Sequence, residues 1–130
     1  MLDVLMRVLE RYAPRKTEDG RLELELPVVT YTSGGCVTLL ITPSADGYTV
    51  ALSPEHFYGI TDHPEIYHEI FVRHGSGERY GVAPVDGTLG KSLTREDNPI
   101  VAVSDVARYA IALDDFLIAN DVIGNESAFS

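Results

Sequence analysis

The spacing of apolar residues divides the chain into eight predicted elements. Leu2, Leu5, Met6, Leu9 and Tyr12 recur at intervals of three and four, the stripe of an amphipathic helix over 1–12. Pro14 ends it, and Arg15 to Gly20 is a polar turn. From Arg21 to Thr32 the period changes to two. Leu22, Leu24 and Leu26 alternate with Glu23 and Glu25, which predicts a strand with one apolar and one acidic face. Pro27 has no N–H to give a neighbour, so that strand is expected to be an edge or to bulge there. Ser33-Gly34-Gly35 predicts a hairpin into a second strand, Cys36 to Thr42. Asp46-Gly47 is expected to supply positive-φ turn positions before a third strand, Tyr48 to Leu52.

The second half alternates helix and hairpin. Asp62-His63-Pro64-Glu65 reads as a helix start, with Asp62 as cap and Pro64 in the first turn. Tyr67, Ile70 and His74 share one face, flanked by Ile66 and Phe71. Glu65, Glu69 and Arg73 share the other, and Gly75-Ser76-Gly77 stops the helix. Arg79 to Ala83 and Thr88 to Thr94 predict a hairpin around Asp86-Gly87. Asn98-Pro99 opens the longest helix, expected to reach about Asp121. Val103, Val106, Ala110, Leu113 and Leu117 form its core seam. Ile100, Ala107, Ile111 and Ile118 form a second apolar stripe roughly 90° away. A helix apolar on two sides is either sandwiched or docks another molecule, so these four residues are a candidate homodimer interface. The order α-β-β-β-α-β-β-α predicts an α+β fold, one antiparallel sheet with helices packed on one face. One domain is expected over 1–123, with a frayed tail at 124–130.

Charge changes this picture more than length does. The net charge is −10 over 130 residues, and it is polarised. Residues 22–72 contain no lysine or arginine but carry Glu23, Glu25, Asp46, Glu55, Asp62, Glu65 and Glu69. Such a surface attracts cationic partners and repels nucleic acid and anionic lipid. These seven carboxylates are therefore the candidate partner-binding residues. No apolar run approaches the ~18 residues needed to span a bilayer. The opening Met1-Leu2-Asp3-Val4 lacks the basic segment of a signal peptide. A lone Cys36 excludes an internal disulfide framework. Together these predict a cytoplasmic protein.

Candidate chemistry is thin. His63, His68 and His74 cluster with Glu65 and Glu69, but at spacings of five and six residues neither neighbouring pair of histidines shares a helix face, unlike the i,i+4 pair of a zinc helix. No metal is expected. Cys36 has no cation near it in sequence to stabilise a thiolate and reads as a structural thiol. Ser76 is not in a G-x-S-x-G context. Ser53-Pro54-Glu55-His56 could gather a hydroxyl, a carboxylate and an imidazole, yet proline-led turns often do so by accident. Asp114 and Asp115 point about 100° apart on a helix and are read as solvated carboxylates, although Asp114 falls unusually close to the core seam. No nucleotide-binding glycine motif and no Cys-x-x-Cys occurs. No catalytic residue and no cofactor is expected. Glu23 and Glu25 lie about 6.8 Å apart on one strand face, a spacing comparable to phosphates along one DNA strand. The competing reading is that edge charge prevents sheet-to-sheet aggregation.

Two resemblances follow. Leu40-Ile41-Thr42-Pro43, Asp46-Gly47-Tyr48-Thr49-Val50-Ala51-Leu52, Tyr80-Gly81-Val82 and Ala110-Ile111-Ala112-Leu113-Asp114-Asp115-Phe116-Leu117 resemble a family of small domains of unknown function found in prophages and other bacterial mobile elements. The likeness covers about residues 22–119, and Ser53-Pro54-Glu55 stands where that family tends to carry an Asp-Asp-Gly turn. The element order is also similar to that of bacterial secretion chaperones, which are typically homodimers that bind another polypeptide in extended form. The leading expectation is a non-enzymatic acidic module that binds a basic protein surface. Mobile-element origin would make the partner a host nucleic-acid-binding defence complex, an anti-CRISPR-like role. The alternatives are a chaperone-like homodimer holding a client polypeptide and, third, a small hydrolase or metal protein using His56, His63, His68 and Glu55.

Overall fold

The computed structural model describes residues 2–30, 35–53, 64–74 and 77–120. The architecture is α+β. A six-stranded antiparallel sheet has the order β1-β2-β3-β4-β6-β5. Its strands are β1 (Arg15–Lys16), β2 (Leu22–Thr30), β3 (Gly35–Pro43), β4 (Gly47–Leu52), β5 (Ala83–Val85) and β6 (Thr88–Thr94). Helices α1 (Leu2–Val8), α2 (Pro64–His74) and α3 (Pro99–Ala119) pack on one face.

The period-two pattern sets that face. Leu22, Leu24, Leu39, Ile41, Val50, Leu52 and Leu89 are fully buried and meet the helices. Helix α3 crosses β2, β3, β4 and β6, α1 leans on α3, and α2 covers β5 and β6. The seam predicted for α3 is buried along its whole length, with Ala102 and Tyr109 added to it. The Oδ1 of Asn98 accepts from the N–H of Ile100 at 2.9 Å and caps this helix. Lys91 of β6 and Asp105 of α3 form an ion pair at 2.7 Å that ties sheet to helix. Tyr48, buried, donates its hydroxyl to the carbonyl of Asp97 at 2.9 Å.

Pro27 sits in the predicted bulge. Glu25 faces Thr38 and Val29 faces Cys36, so β2 takes four steps where β3 takes two. Asp86-Gly87 turns with φ of 49° and 81°, as its sequence predicts.

Other expectations need correction. The first helix stops at Val8, and Glu10–Tyr12 is a separate 3-10 turn ending in a left-handed Ala13. Arg15 and Lys16, expected in a turn, form β1 because β2 offers them a free edge at Leu22 and Glu23. Neither Asp46 nor Gly47 has positive φ. Glycine is required at 47 for space, since a Cβ there would collide with the carbonyl of Leu93. Arg79 and Tyr80 lie in a 3-10 turn, Gly77–Tyr80, and Gly81 at φ 68° breaks any extended run before β5. On α2 the flanking Phe71 is buried and Tyr67 packs against the core, while His74, expected on the same side, is exposed. The expected tail at 124–130 lies outside the described residues, as does Asp62.

Candidate partner-binding surface

The structure separates the acidic residues that the sequence grouped. Glu23 and Glu25 alternate with the buried leucines of β2 and so project from the sheet face that no described helix covers. They are not equivalent there. The Arg15 guanidinium of β1 donates to Glu23 and pairs with it. Glu25, beyond the end of β1, is exposed and makes no ion pair among the described residues. The two-residue strand thus neutralises one end of the expected acidic row. Asp46 is exposed in the β3–β4 turn, at the end of the sheet. Glu65 and Glu69 lie on the exposed side of α2, across the sheet from Glu25, and Glu69 accepts from Arg73 at 2.6 Å. Glu55 lies outside the described residues, with Asp62. The described carboxylates therefore occupy two opposite surfaces and the rim between them.

Ion pairing decides which of the 20 carboxylates still carry charge outward. Lys16 pairs with Asp3 at 3.0 Å and Arg21 with Asp19 at 2.6 Å. Each cation holds its partner's carboxyl below the usual range, chiefly through the hydrogen bond it donates. With Arg15, Arg73 and Lys91, at least five of the ten lysines and arginines are engaged internally. Glu25 and Asp46 have no such partner among the described residues.

Of the two described histidines, His68 is the one the fold uses. It is half-buried on α2 and shares a 2.7 Å hydrogen bond between its Nδ1 and the hydroxyl of Tyr109. Burial lowers the imidazole's pKa and raises the phenol's, so both are held neutral. Phe71 and Tyr80 meet the Tyr109 ring edge-on, at centroid distances of 5.5 and 6.2 Å. A shallow groove of about 600 Å³ runs beside His68 between α2 and Pro84. Among the described residues no three His, Cys, Asp or Glu side chains are placed to hold a metal ion. His63 and His56 lie outside them. Tyr109 was missed as a site residue, although Ala102, Val106, Tyr109 and Leu113 also repeat at four, three and four.

Asp114 is buried at 6% exposure while Asp115 faces solvent, so the neighbours do not act as a pair and Asp114 is not a solvated carboxylate. On the second stripe of α3, Ile100 and Ala107 pack against the core margin. Ile111 and Ile118 remain 37% and 45% exposed. Cys36 is a free, half-buried thiol. No described helix is long and apolar enough to cross a membrane. Comparisons with family models, curated proteins and solved structures gave no match.

Proposed function

We propose that the protein is a non-enzymatic binding module whose exposed carboxylates engage a basic surface on a protein partner. The observation that carries this reading is the division of charge by ion pairing. The engaged cations cancel Glu23, Asp3, Asp19, Glu69 and Asp105. Glu25 and Asp46 stay exposed with no ion pair among the described residues, within a chain of net charge −10. Complementary charge of this kind raises association rates and selects partners by sign. It disfavours direct contact with nucleic acid or anionic lipid. The concrete version is a module of mobile-element origin that occupies the basic groove of a host nucleic-acid-binding defence complex.

The test is capture from a lysate of the source organism or its host, at about 50 and 500 mM salt, because screening weakens such contacts. The expected result is a nucleic-acid-handling protein retained at low salt and released at high salt. Retention should fall about tenfold or more for the double variant Glu25→Lys, Asp46→Lys. Equal retention of that partner by the variant at low salt overturns the proposal.

A second reading rests on Ile111 and Ile118. Two exposed isoleucines on one face of α3 suit a chaperone-like homodimer that holds a client polypeptide. In that case binding would depend on apolar contacts and survive high salt.

A further inference from the structure

The side of α3 that faces away from the core carries a seam of its own. Ser104, Arg108, Ile111, Asp115 and Ile118 recur at intervals of four and three, the spacing that presents one continuous face to another helix. Arg108, Ile111, Asp115 and Ile118 are exposed, and Ser104 is half-buried. Two isoleucines thus alternate with one cation and one anion. Neither charge has an ion pair among the described residues. They do not satisfy each other within the helix, because seven residues separate them by about 10 Å along its axis, and side chains of one helix pair at three or four residues.

The pattern matches itself in one orientation. In a two-fold pair, a residue that contacts a second residue of the other copy is contacted in return. Two copies of α3 laid antiparallel, with the two-fold axis beside Ile111, put Arg108 of each opposite Asp115 of the other, on the same rim. Ile111 meets its own counterpart. Ile118 falls between Ser104 and Ala107 of the second copy, whose short side chains leave room for it. Charge and volume therefore share one centre, which two unrelated features of a solvated face have no reason to do. A parallel pair stacks Ile118 on Ile118 and sends the charged rims to opposite sides, so that neither charge is matched. Local matching of sign matters here, since a net charge of −10 per chain otherwise opposes self-association.

We propose that α3 docks antiparallel on α3 of a second copy of this chain, centred on Ile111 and held in register by two reciprocal Arg108–Asp115 ion pairs. Packed helices lie about 8–10 Å apart, a gap that an arginine and an aspartate on facing rims span together. The isoleucines supply the apolar contact, and the ion pairs select the orientation and the partner. This inference rests on the reading of Ile111 and Ile118 as a homodimer face. It adds the occupant's direction and register and requires no client polypeptide.

The test is sedimentation equilibrium of the full chain and of two charge reversals. The parent should show a monomer–dimer equilibrium with a Kd of about 10 µM, because one helix pair buries less than a standard interface. Arg108→Asp and Asp115→Arg should each weaken it about tenfold or more, since either change sets like charges face to face at both ends of the contact. An equimolar mixture of the two variants should associate to within about threefold of the parent, because opposite charges then face one another again. Both positions are exposed, and circular dichroism checks that each variant is folded. A parent that stays monomeric at about 200 µM overturns this pairing together with the homodimer reading and leaves the face to a different molecule. A parent dimer that both reversals leave unchanged overturns the antiparallel pairing alone, as does a mixture no tighter than its components. Loss of that dimer in Ile111→Asp would then keep the face as the interface in another register.

Discussion

Burial decides the ionisation of His68 and, through it, part of the response to acid. Its pKa lies below the ordinary value of 6.5 because burial disfavours the imidazolium. The unfolded chain therefore binds more protons than the folded chain as pH falls through 6.5 toward the folded value. Stability drops over that window and returns above it. The gap in unfolding free energy between pH 7.5 and pH 5.5 should narrow in His68→Gln, measured by urea denaturation. An unchanged gap would mean that His68 is not the group responsible. Asp3 and Asp19 act lower, with carboxyls depressed below 3.8, so what they contribute is lost only as pH falls beneath that value. Tyr109→Phe should cost about 1 kcal/mol, the worth of one hydrogen bond with its partner left unpaired. The role of His68 was not legible in the chain. Helical spacing shows which residues of α2 share a face, but not which face meets Tyr109, forty-one residues away.

At the scale of elements, legibility followed the length of the periodic signal. Strand β6 begins and ends where its sequence predicts, at Thr88 and Thr94, and α3 starts at Pro99 behind a capping asparagine. That cap accounts for one of the helix's orphan N–H groups. Asn98→Ala should lower stability by about 1 kcal/mol, and Asn98→Asp should restore most of it. Thermal or denaturant unfolding of the two variants checks this; equal loss in both would assign the effect to something other than the cap. Short elements were not legible. Arg15 and Lys16 have no strand pattern of their own and become extended only because β2 has an open edge beside them. Gly47 shows the same dependence. Its identity answers to the backbone of Leu93 in β6, not to local turn geometry.

The whole molecule adds what no single element contains. The sheet sends Glu25 to one side and Glu65 and Glu69 to the other, so a charge run continuous in sequence becomes two surfaces. The same assembly leaves Ile111 and Ile118 exposed, with Val101 also exposed near the start of α3, while burying the core seam of that helix. If that patch joins two copies, Ile111→Asp should halve the mass measured by light scattering at micromolar concentration, with the circular dichroism unchanged. Placing a charge in an apolar interface costs several kcal/mol. A variant of the same mass as the parent removes this face as the interface.

The sequence by itself determined the α+β class, the faces of the long strands, the core seam of α3, the Pro27 bulge and the sign of the net charge. All of these follow from local periodicity, from proline's missing N–H or from summed charge, which need no knowledge of neighbours. Only the tertiary structure decided that Arg15 neutralises Glu23, that His68 meets Tyr109 and that Asp114 is buried. Each joins residues distant in the chain, and such contacts depend on strand register and helix rotation, which a local pattern does not encode.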